Sequence, residues 1–314
     1  MYKREYPFLK EVDSLALANV QLHLEKAYKN FFRDPKIGFP KFKSKHHSRN
    51  SYTTNVVNGN ILVESKRIRL PKLKWIAMKK HREPAKGLRL KSVTVSMEPS
   101  GKYFASLLYE GDSCENQAAE PDYSTAKILG IDYAMQGMAV FSEEIEMEEA
   151  GFFRKNEKRL VREQRKLSRC VRGSHNYELQ KKKVARCHEK IRNQRRDHLH
   201  KLSRKIADGY DAAAVEDIDM KAMGQCLHFG KSVHDNGYGM FREMLDYKLA
   251  WKGKKIVKVD RFFPSSKKCC QCGRIKKELK LSERVYHCVC GNEMDRDRNA
   301  AINIREEARR MLIA

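Results

Sequence analysis

The chain has 314 residues, with 65 Lys and Arg against 40 Asp and Glu, and so a formal charge of +25. No run of 18 apolar residues occurs, which excludes a membrane-spanning helix, and Met1-Tyr-Lys-Arg-Glu-Tyr opens without the apolar stretch of a secretory signal. A 41% hydrophobic content is enough for a packed core and excludes wholesale disorder. So positive a chain repels itself unless a polyanion neutralises it, and nucleic acid is the natural polyanion. The bland alternative is a Lys-decorated soluble protein without such a partner.

Residues 8–33 carry Leu15, Leu17, Val20, Leu22, Leu24, Ala27 and the Phe31-Phe32 pair at helical spacing, and Pro35 and Gly38-Phe39-Pro40 end that helix. A basic, polar segment with one aromatic, Lys41 to Arg49, follows. From Ser51 to Glu110 short alternating runs separated by Gly, Pro and Asn predict a small antiparallel barrel or sandwich. Residues 111–124 are acidic and turn-rich, a linker that divides the chain into a region 1–124 and a region 125–314. In the second region, Ile128-Leu-Gly-Ile-Asp132 predicts a buried strand ending on a carboxylate, with Gly137 to Ser142 as its hairpin partner. Two basic helices, about 154–172 and 176–207, form an inserted hairpin (154–208) around the turn Gly173-Ser174-His175-Asn176. Between Arg154 and Lys205 stand 20 Lys and Arg and 5 Asp and Glu. An arm of this charge predicts contact with phosphates rather than a solvated face. Ala212 to Asp217 predicts another apolar strand ending in acid, residues 238–252 a helix, and Lys254 to Val259 a further strand. A Cys-rich segment spans 262–293, and a closing helix begins at Asp297. Strands alternating with helices predict an α/β domain with a mixed sheet, so the chain as a whole reads as a multidomain α+β and α/β protein.

Nine cysteines, an odd number without a secretory signal, argue against a disulfide framework. Five of the nine fall between Cys269 and Cys290. Cys269-x-x-Cys272 and Cys288-x-Cys290 predict four thiolates arranged tetrahedrally around Zn²⁺, with no open position and hence a structural role. Gly273 and Gly291 each follow the second Cys of a pair, where a knuckle turn favours a residue without Cβ. His287-x-x-Cys290 also has ligand spacing, so His287 competes with Cys288; Cys288 is preferred, with Cys270 a spectator.

Asp132, Glu216 and Asp297 each stand where a short apolar strand ends or a helix begins. If the strands bearing Asp132 and Glu216 are neighbours, the two acids lie side by side, and the closing helix can bring Asp297 over them. Three such carboxylates require a compensating cation. An all-oxygen site favours Mg²⁺ or Mn²⁺, and a pair of such ions hydrolyses phosphodiesters. Asp217, Asp219 and Asp295 are near competitors, and spacing alone does not choose between them.

Several segments together resemble TnpB, the transposon-encoded RNA-guided nuclease family related to type V CRISPR effectors. Gly130-Ile-Asp132-Tyr-Ala resembles the first RuvC motif of that family, Ala214-Val-Glu216-Asp-Ile-Asp the second, and Asp295-Arg-Asp297-Arg-Asn-Ala-Ala-Ile-Asn-Ile the third. Phe262-Phe-Pro-Ser-Ser266-Lys-Lys-Cys-Cys-Gln-Cys-Gly resembles its entry to the zinc knuckle, and Gly38-Phe-Pro-Lys-Phe-Lys-Ser-Lys and Ile68-Arg-Leu-Pro-Lys-Leu are similar to upstream family segments.

The resemblance implies an RNase H-like RuvC domain, with an inserted helical hairpin and a zinc ribbon, preceded by a helix and a small β-barrel for recognition. It implies hydrolysis of DNA by a two-metal mechanism, with Asp132, Glu216 and Asp297 as metal ligands and Asp295 as a neighbouring acid outside the ligand set. It also implies a guide RNA as partner, double- and single-stranded DNA as target, and a site in the prokaryotic cytoplasm at the nucleoid. Base pairing would read the target, while the protein reads a short motif beside it. Lys41, Phe42, Lys45, Ser51 and Tyr52 are the candidates for those duplex contacts, and the basic hairpin would sit beside the guide–target duplex. The family carries a further strand and helix ahead of the Tyr6-Pro-Phe-Leu segment, where this chain begins, so the recognition barrel is expected to be short of that part. The alternatives are an RNA-guided DNA-binding protein that does not cut, a truncated nuclease with poor targeting, and a sequence-neutral nucleic-acid-binding zinc protein. Retention of all three acids favours the nuclease. Oligomeric state is left open.

Overall fold

A computed structural model describes residues 2–42, 44, 50–111, 121–134, 137–146, 151–219, 237–280 and 282–313. They fall into two units, Met1–Cys114 and Glu115–Ala314. Residues 112–120 of the expected linker lie outside the described residues.

In the first unit a one-turn helix α1 (Tyr2–Glu5) and a 3₁₀ turn Pro7–Lys10 precede α2 (Ser14–Arg33). The long helix therefore starts at Ser14, not at residue 8. Pro7 opens a turn of its own, and Asp13 caps α2 by accepting from the Leu15 N–H at 3.2 Å. The second oxygen of Asp13 accepts from the Thr54 hydroxyl, and buried Asn19 donates to the Thr53 carbonyl at 3.0 Å. These bonds fasten α2 to β1 (Ser51–Asn55). The remaining strands are β2 (Leu62–Val63), β3 (Arg67–Leu70), β4 (Lys74–Ala77), β5 (Arg89–Met97) and β6 (Tyr103–Glu110). They hydrogen-bond as two antiparallel three-stranded sheets, β1-β5-β6 and β2-β3-β4, instead of one closed barrel. Strands of two to four residues in the second sheet are too short to wrap round and close. Ile61, Ile68 and Leu70 share one core with Val93 of the other sheet, which is the sandwich form of the expectation.

The second unit is ordered β7 (Ile128–Ala134), β8 (Met138–Phe141), α3 (Phe152–Ser168), α4 (His175–Gly209), β9 (Ala212–Glu216), α5 (Tyr238–Ala250), β10 (Lys255–Val259), β11 (Val285–His287), β12 (Glu293–Asp295) and α6 (Arg296–Ile313). The main sheet runs β10-β9-β7-β8, the first three parallel and β8 antiparallel to β7. Both faces are covered, which is why the strands read as nearly continuous apolar runs. Leu129, Ile131, Ala213 and Val215 face a core made with Leu199, Leu202 and Ile206 of α4 and Phe241, Leu245 and Leu249 of α5. Ile128, Ala212, Ala214, Val257 and Val259 face Ile304 and Ala308 of α6.

Helices α3 and α4 form the basic hairpin. Gly173, at φ +81°, makes the reversal, and the Ser174 hydroxyl caps α4 by accepting from the Tyr177 N–H at 3.1 Å. Leu160, Cys187 and Ile191 close the seam between the helices, and the Gln180 amide donates to the Glu163 carboxylate at 2.8 Å. The hairpin is not a free arm. The last third of α4 is a core layer of the main sheet, so the basic region is rooted in the unit.

Candidate active site and metal centre

Side chains alternate faces along a strand. On β7, Leu129 and Ile131 point to the α4–α5 core, so Gly130 and Asp132 point to α6; on β9, Ala213 and Val215 point to the core, and Ala214 and Glu216 to α6. The two strands are parallel with Ile131 paired to Val215. Asp132 and Glu216 therefore stand on neighbouring strands about 4.8 Å apart, on one face, at the carboxyl ends.

The third acid arrives through a backbone contact. A Cβ at Gly130 would lie 1.9 Å from the Ala301 carbonyl oxygen and 2.9 Å from Arg305 Cβ, so α6 crosses β7 at a distance only glycine permits. The far end of α6 is anchored towards the start of β7. Ile304 and Ala308 pack with Ile128 and Tyr123, and Arg309 Nη1 donates to the carbonyls of Tyr123, Ser124 and Ala126 at 3.3, 3.3 and 3.2 Å. The helix thus runs antiparallel to the strand. Asp132 lies two residues beyond Gly130, about 6.6 Å along the strand, and Asp297 lies four before Ala301, about 6 Å along the helix. The two advances match, and Asp297 comes over Asp132.

The electrostatics agree with this placement. Burial, then the charges of Glu216 and Asp297, push the Asp132 carboxyl up to about 8. Burial also raises Glu216. Asp297 is paired with Arg296, whose Nη2 and Nε approach Oδ1 at 3.0 and 3.1 Å, and with Arg284 of the Cys-rich segment at 3.8 Å. The competing acids are otherwise engaged. Asp295 is exposed and caps α6, accepting from the Arg298 N–H at 2.8 Å; Asp217 faces Arg261 at 4.0 Å.

The four cysteines form a tighter group. Among the described residues, Cys269, Cys272, Cys288 and Cys290 are the one set of three or more His, Cys, Asp or Glu whose ligand atoms all lie within 4.8 Å of one another. The three carboxylates do not form such a set among the described residues. The sulfurs of Cys269 and Cys290 are 3.7 Å apart and those of Cys272 and Cys288 3.6 Å. Tetrahedral Zn²⁺ with bonds of about 2.3 Å separates its sulfurs by about 3.8 Å, so the set fits that ion. Burial opposes ionisation of Cys269, but hydrogen bonds from the Cys272 and Gln271 backbone and the Asn292 amide outweigh it and bring the thiol to about 6. A backbone bond from Asn292 favours ionised Cys290, yet burial and the three other thiols hold it up at about 12. Thiols so close cannot all ionise without a cation. Gly273 at φ +73° and Gly291 at φ +89° form the two left-handed knuckle turns. Cys288 joins the cluster, while His287 turns to Glu293 at 3.5 Å; Cys270 lies outside the group, its sulfur 3.4 Å from Met294 Sδ.

The candidate duplex contacts fare unequally. Phe42 is 95% exposed, and Lys41 and Ser51 are exposed as well. Tyr52 is half-buried, with its hydroxyl held above the usual phenol range by burial and by Asp13. Lys45 lies outside the described residues. On the basic hairpin, Lys158, Arg162, Arg165, Lys166 and Arg169 line one groove along α3 around Val161.

Asn299 and Asn303 on α6 have no role in the sequence reading, yet they are 0% and 3% exposed and hydrogen-bonded to the first knuckle. Two amides four residues apart, interrupting the apolar Ala300-Ala301…Ile304 run, are the signal that marks them.

The sequence pattern of the family described as "OrfB_IS605: Probable transposase" matches residues 107–226, which include Asp132 and Glu216. That of the "Cas12f1-like, TNB domain" matches residues 238–304, which include the four cysteines and Asp297. A Streptomyces pristinaespiralis protein named "Putative RNA-guided DNA endonuclease" is 34% identical over 305 residues, 96% of this chain and 73% of that protein. Escherichia coli (strain K12) has "Putative RNA-guided DNA endonuclease InsQ", 32% identical over 316 residues, 96% of this chain and 76% of that one. Among solved structures, a "Cas12f1-sgRNA-target DNA complex" superposes with a TM-score of 0.52 at 15% identity, covering 88% of this chain and 67% of the other, which supports the fold alone. With a third of its residues shared along nearly its whole length, and with both family patterns falling on the acidic and cysteine motifs, the chain belongs to the OrfB_IS605 family, the TnpB proteins.

Proposed function

We propose that this chain is an RNA-guided DNA endonuclease that hydrolyses phosphodiester bonds at a divalent-metal site formed by Asp132, Glu216 and Asp297. One observation carries the reading: two acids stand in register on adjacent parallel strands beneath a helix whose closest approach, at Gly130, brings a third acid over them. Burial first, and then the charges of Glu216 and Asp297, push the Asp132 carboxyl up, a strain that a divalent cation would relieve. A pair of Mg²⁺ or Mn²⁺ ions held by these three acids would supply activation of water and stabilisation of the leaving oxygen. Asp132 would give up its proton to bind. Arg296 and Arg284 hold Asp297 in orientation before binding. The cysteine set would hold Zn²⁺ and fix the ribbon, taking no part in the chemistry.

The names of the relatives support a guide RNA and a DNA target for this chain too. The test begins with the RNA that co-purifies. Sequencing it supplies the guide, and a plasmid bearing the matching target should be cut in Mg²⁺ and left intact in EDTA. Asp132→Ala, Glu216→Ala and Asp297→Ala should each abolish cutting while RNA stays bound. One variant cutting at the full rate overturns the triad, and guided binding without products by the unaltered protein overturns the nuclease.

A further inference from the structure

We propose that Asn299 and Asn303 are positioning residues that tie the acidic end of α6 to the first knuckle, so that filling the four-cysteine site fixes the seat of Asp297. The proposal rests on the reading of Asp297 as a metal ligand.

The bonds are specific. The Asn299 amide donates to the Lys268 carbonyl at 2.7 Å, and its oxygen accepts from the Cys270 N–H at 3.1 Å. The Asn303 amide donates to the Lys268 carbonyl at 2.7 Å and to the Ser265 carbonyl at 2.8 Å. These partners enclose Cys269, itself 1% exposed, between Lys268 and Cys270. Asparagine is a poor residue for a helix interior, and a buried amide is unfavourable unless it is bonded. Among the described residues, the bonds of both amides go to the 265–270 segment of the knuckle and none goes to α6 itself. Residues four apart lie on one face of a helix, and Ala301, midway between them, is on the other face, against Gly130. The first two turns of α6 are therefore held from two sides, by β7 through Ala301 and by the knuckle through the two asparagines. Asp297 is two residues ahead of Asn299. Releasing the knuckle leaves the acidic end of α6 fixed on one side only, whereas the end from Ile304 onward keeps its own anchors in Ile128 and the Arg309 bonds.

The first experiment uses the unaltered full chain, without Mg²⁺, zinc-loaded and then zinc-stripped by a chelator, with amide hydrogen exchange read along α6. Stripping should weaken protection of residues 297–303 about tenfold, the scale on which partners of metal ligands act, while residues 304–312 keep theirs. Equal loss along the whole helix, as general unfolding would give, or no loss at all overturns the proposal. The second uses Asn299→Ala and Asn303→Ala. Zinc should pass to a chromogenic chelator about tenfold faster, and the Mg²⁺ needed for half-maximal cutting should rise about tenfold, with guide-RNA affinity unchanged. Unchanged zinc release overturns the tie. If exchange and zinc release respond but the Mg²⁺ requirement does not, the link to Asp297 is overturned. Asp297→Ala separates the two readings: full cutting by that variant refutes the ligand assignment and leaves the exchange result standing.

Discussion

Burial, and then the charges of two other acids, favour the protonated form of the Asp132 carboxyl, and that has a consequence for stability. In the metal-free folded chain the carboxyl titrates near 8, well above the usual carboxylate range. Between about pH 4 and about pH 8 the folded state therefore binds a proton that the unfolded state does not, and stability falls as pH rises through that window. Thermal melts in EDTA should show a midpoint that drops from about pH 5 to about pH 8; Asp132→Asn should flatten the drop, and Mg²⁺ should lessen it. A metal-free midpoint that is level with pH would contradict the placement of the three acids. Asp295 and Asp297 invite a second comparison. Asp295→Ala removes a helix cap and should lower stability by about 1 kcal/mol while cutting persists. Asp297→Ala should do the reverse, and loss of cutting by Asp295→Ala at unchanged stability would exchange their roles. The sequence already marks Asp132 and Glu216, since each follows an apolar run; β9 ends on Glu216 as expected, whereas β7 continues past Asp132 to Ala134, paired with β8. The sequence does not separate Asp295 from Asp297, because which acid caps the helix and which faces the sheet is set by the helix's first turn.

At the scale of elements, α6 over β7 is the contact on which the site depends. Gly130→Ala places a methyl group where Ala301 oxygen and Arg305 Cβ already lie, so the helix must lift. Overpacking of this kind costs about 1–3 kcal/mol, and here it displaces Asp297 as well. The expected result is a lower thermal midpoint together with a raised Mg²⁺ requirement for cutting. Gly209→Ala, where an added Cβ meets nothing within 4 Å, is the control and should leave both unchanged. Equal behaviour of the two variants would mean that α6 does not seat on β7 in this way. Local signals in the sequence read well at this scale. Gly173-Ser174 marks the hairpin turn, and the paired cysteines with their following glycines mark the knuckles. What could not be read was partnership. Leu199, Leu202 and Ile206 have the same helical spacing as Leu160 and Ile191, yet they pack on the sheet while the others close the hairpin. The start of α2 at Ser14 follows from the Asp13 cap, whose side chain is also engaged by Thr54, far along the chain. Asn299 and Asn303 look like solvent-facing helix residues until the knuckle is packed against them.

For the whole molecule, a charge of +25 needs a partner, and the basic groove of α3 is the clearest place to look for it. Its side chains are not held in strong internal pairs. Arg162 and Lys166 are 66% and 57% exposed and reach the single, buried Glu163 only at 3.4 and 3.7 Å, while the Glu163 carboxylate keeps its shorter bond from Gln180. Their charge is therefore available to phosphates. Replacing Arg162, Arg165, Lys166 and Arg169 together by Gln should leave the thermal midpoint nearly unchanged, because the positions are exposed. Binding to guide RNA, or to the guided complex with target DNA, should weaken. The plot of log affinity against log salt should flatten by about 0.7 to 0.9 for each phosphate that the chain no longer neutralises, up to about 3.6 for all four. Zinc content and the Mg²⁺ requirement should not move, since no residue of the carboxylate or cysteine sites is touched. If the salt slope is unaltered, α3 does not face the nucleic acid. The excess charge must then be neutralised elsewhere, first along α4, whose Lys181, Lys182 and Lys183 are also exposed.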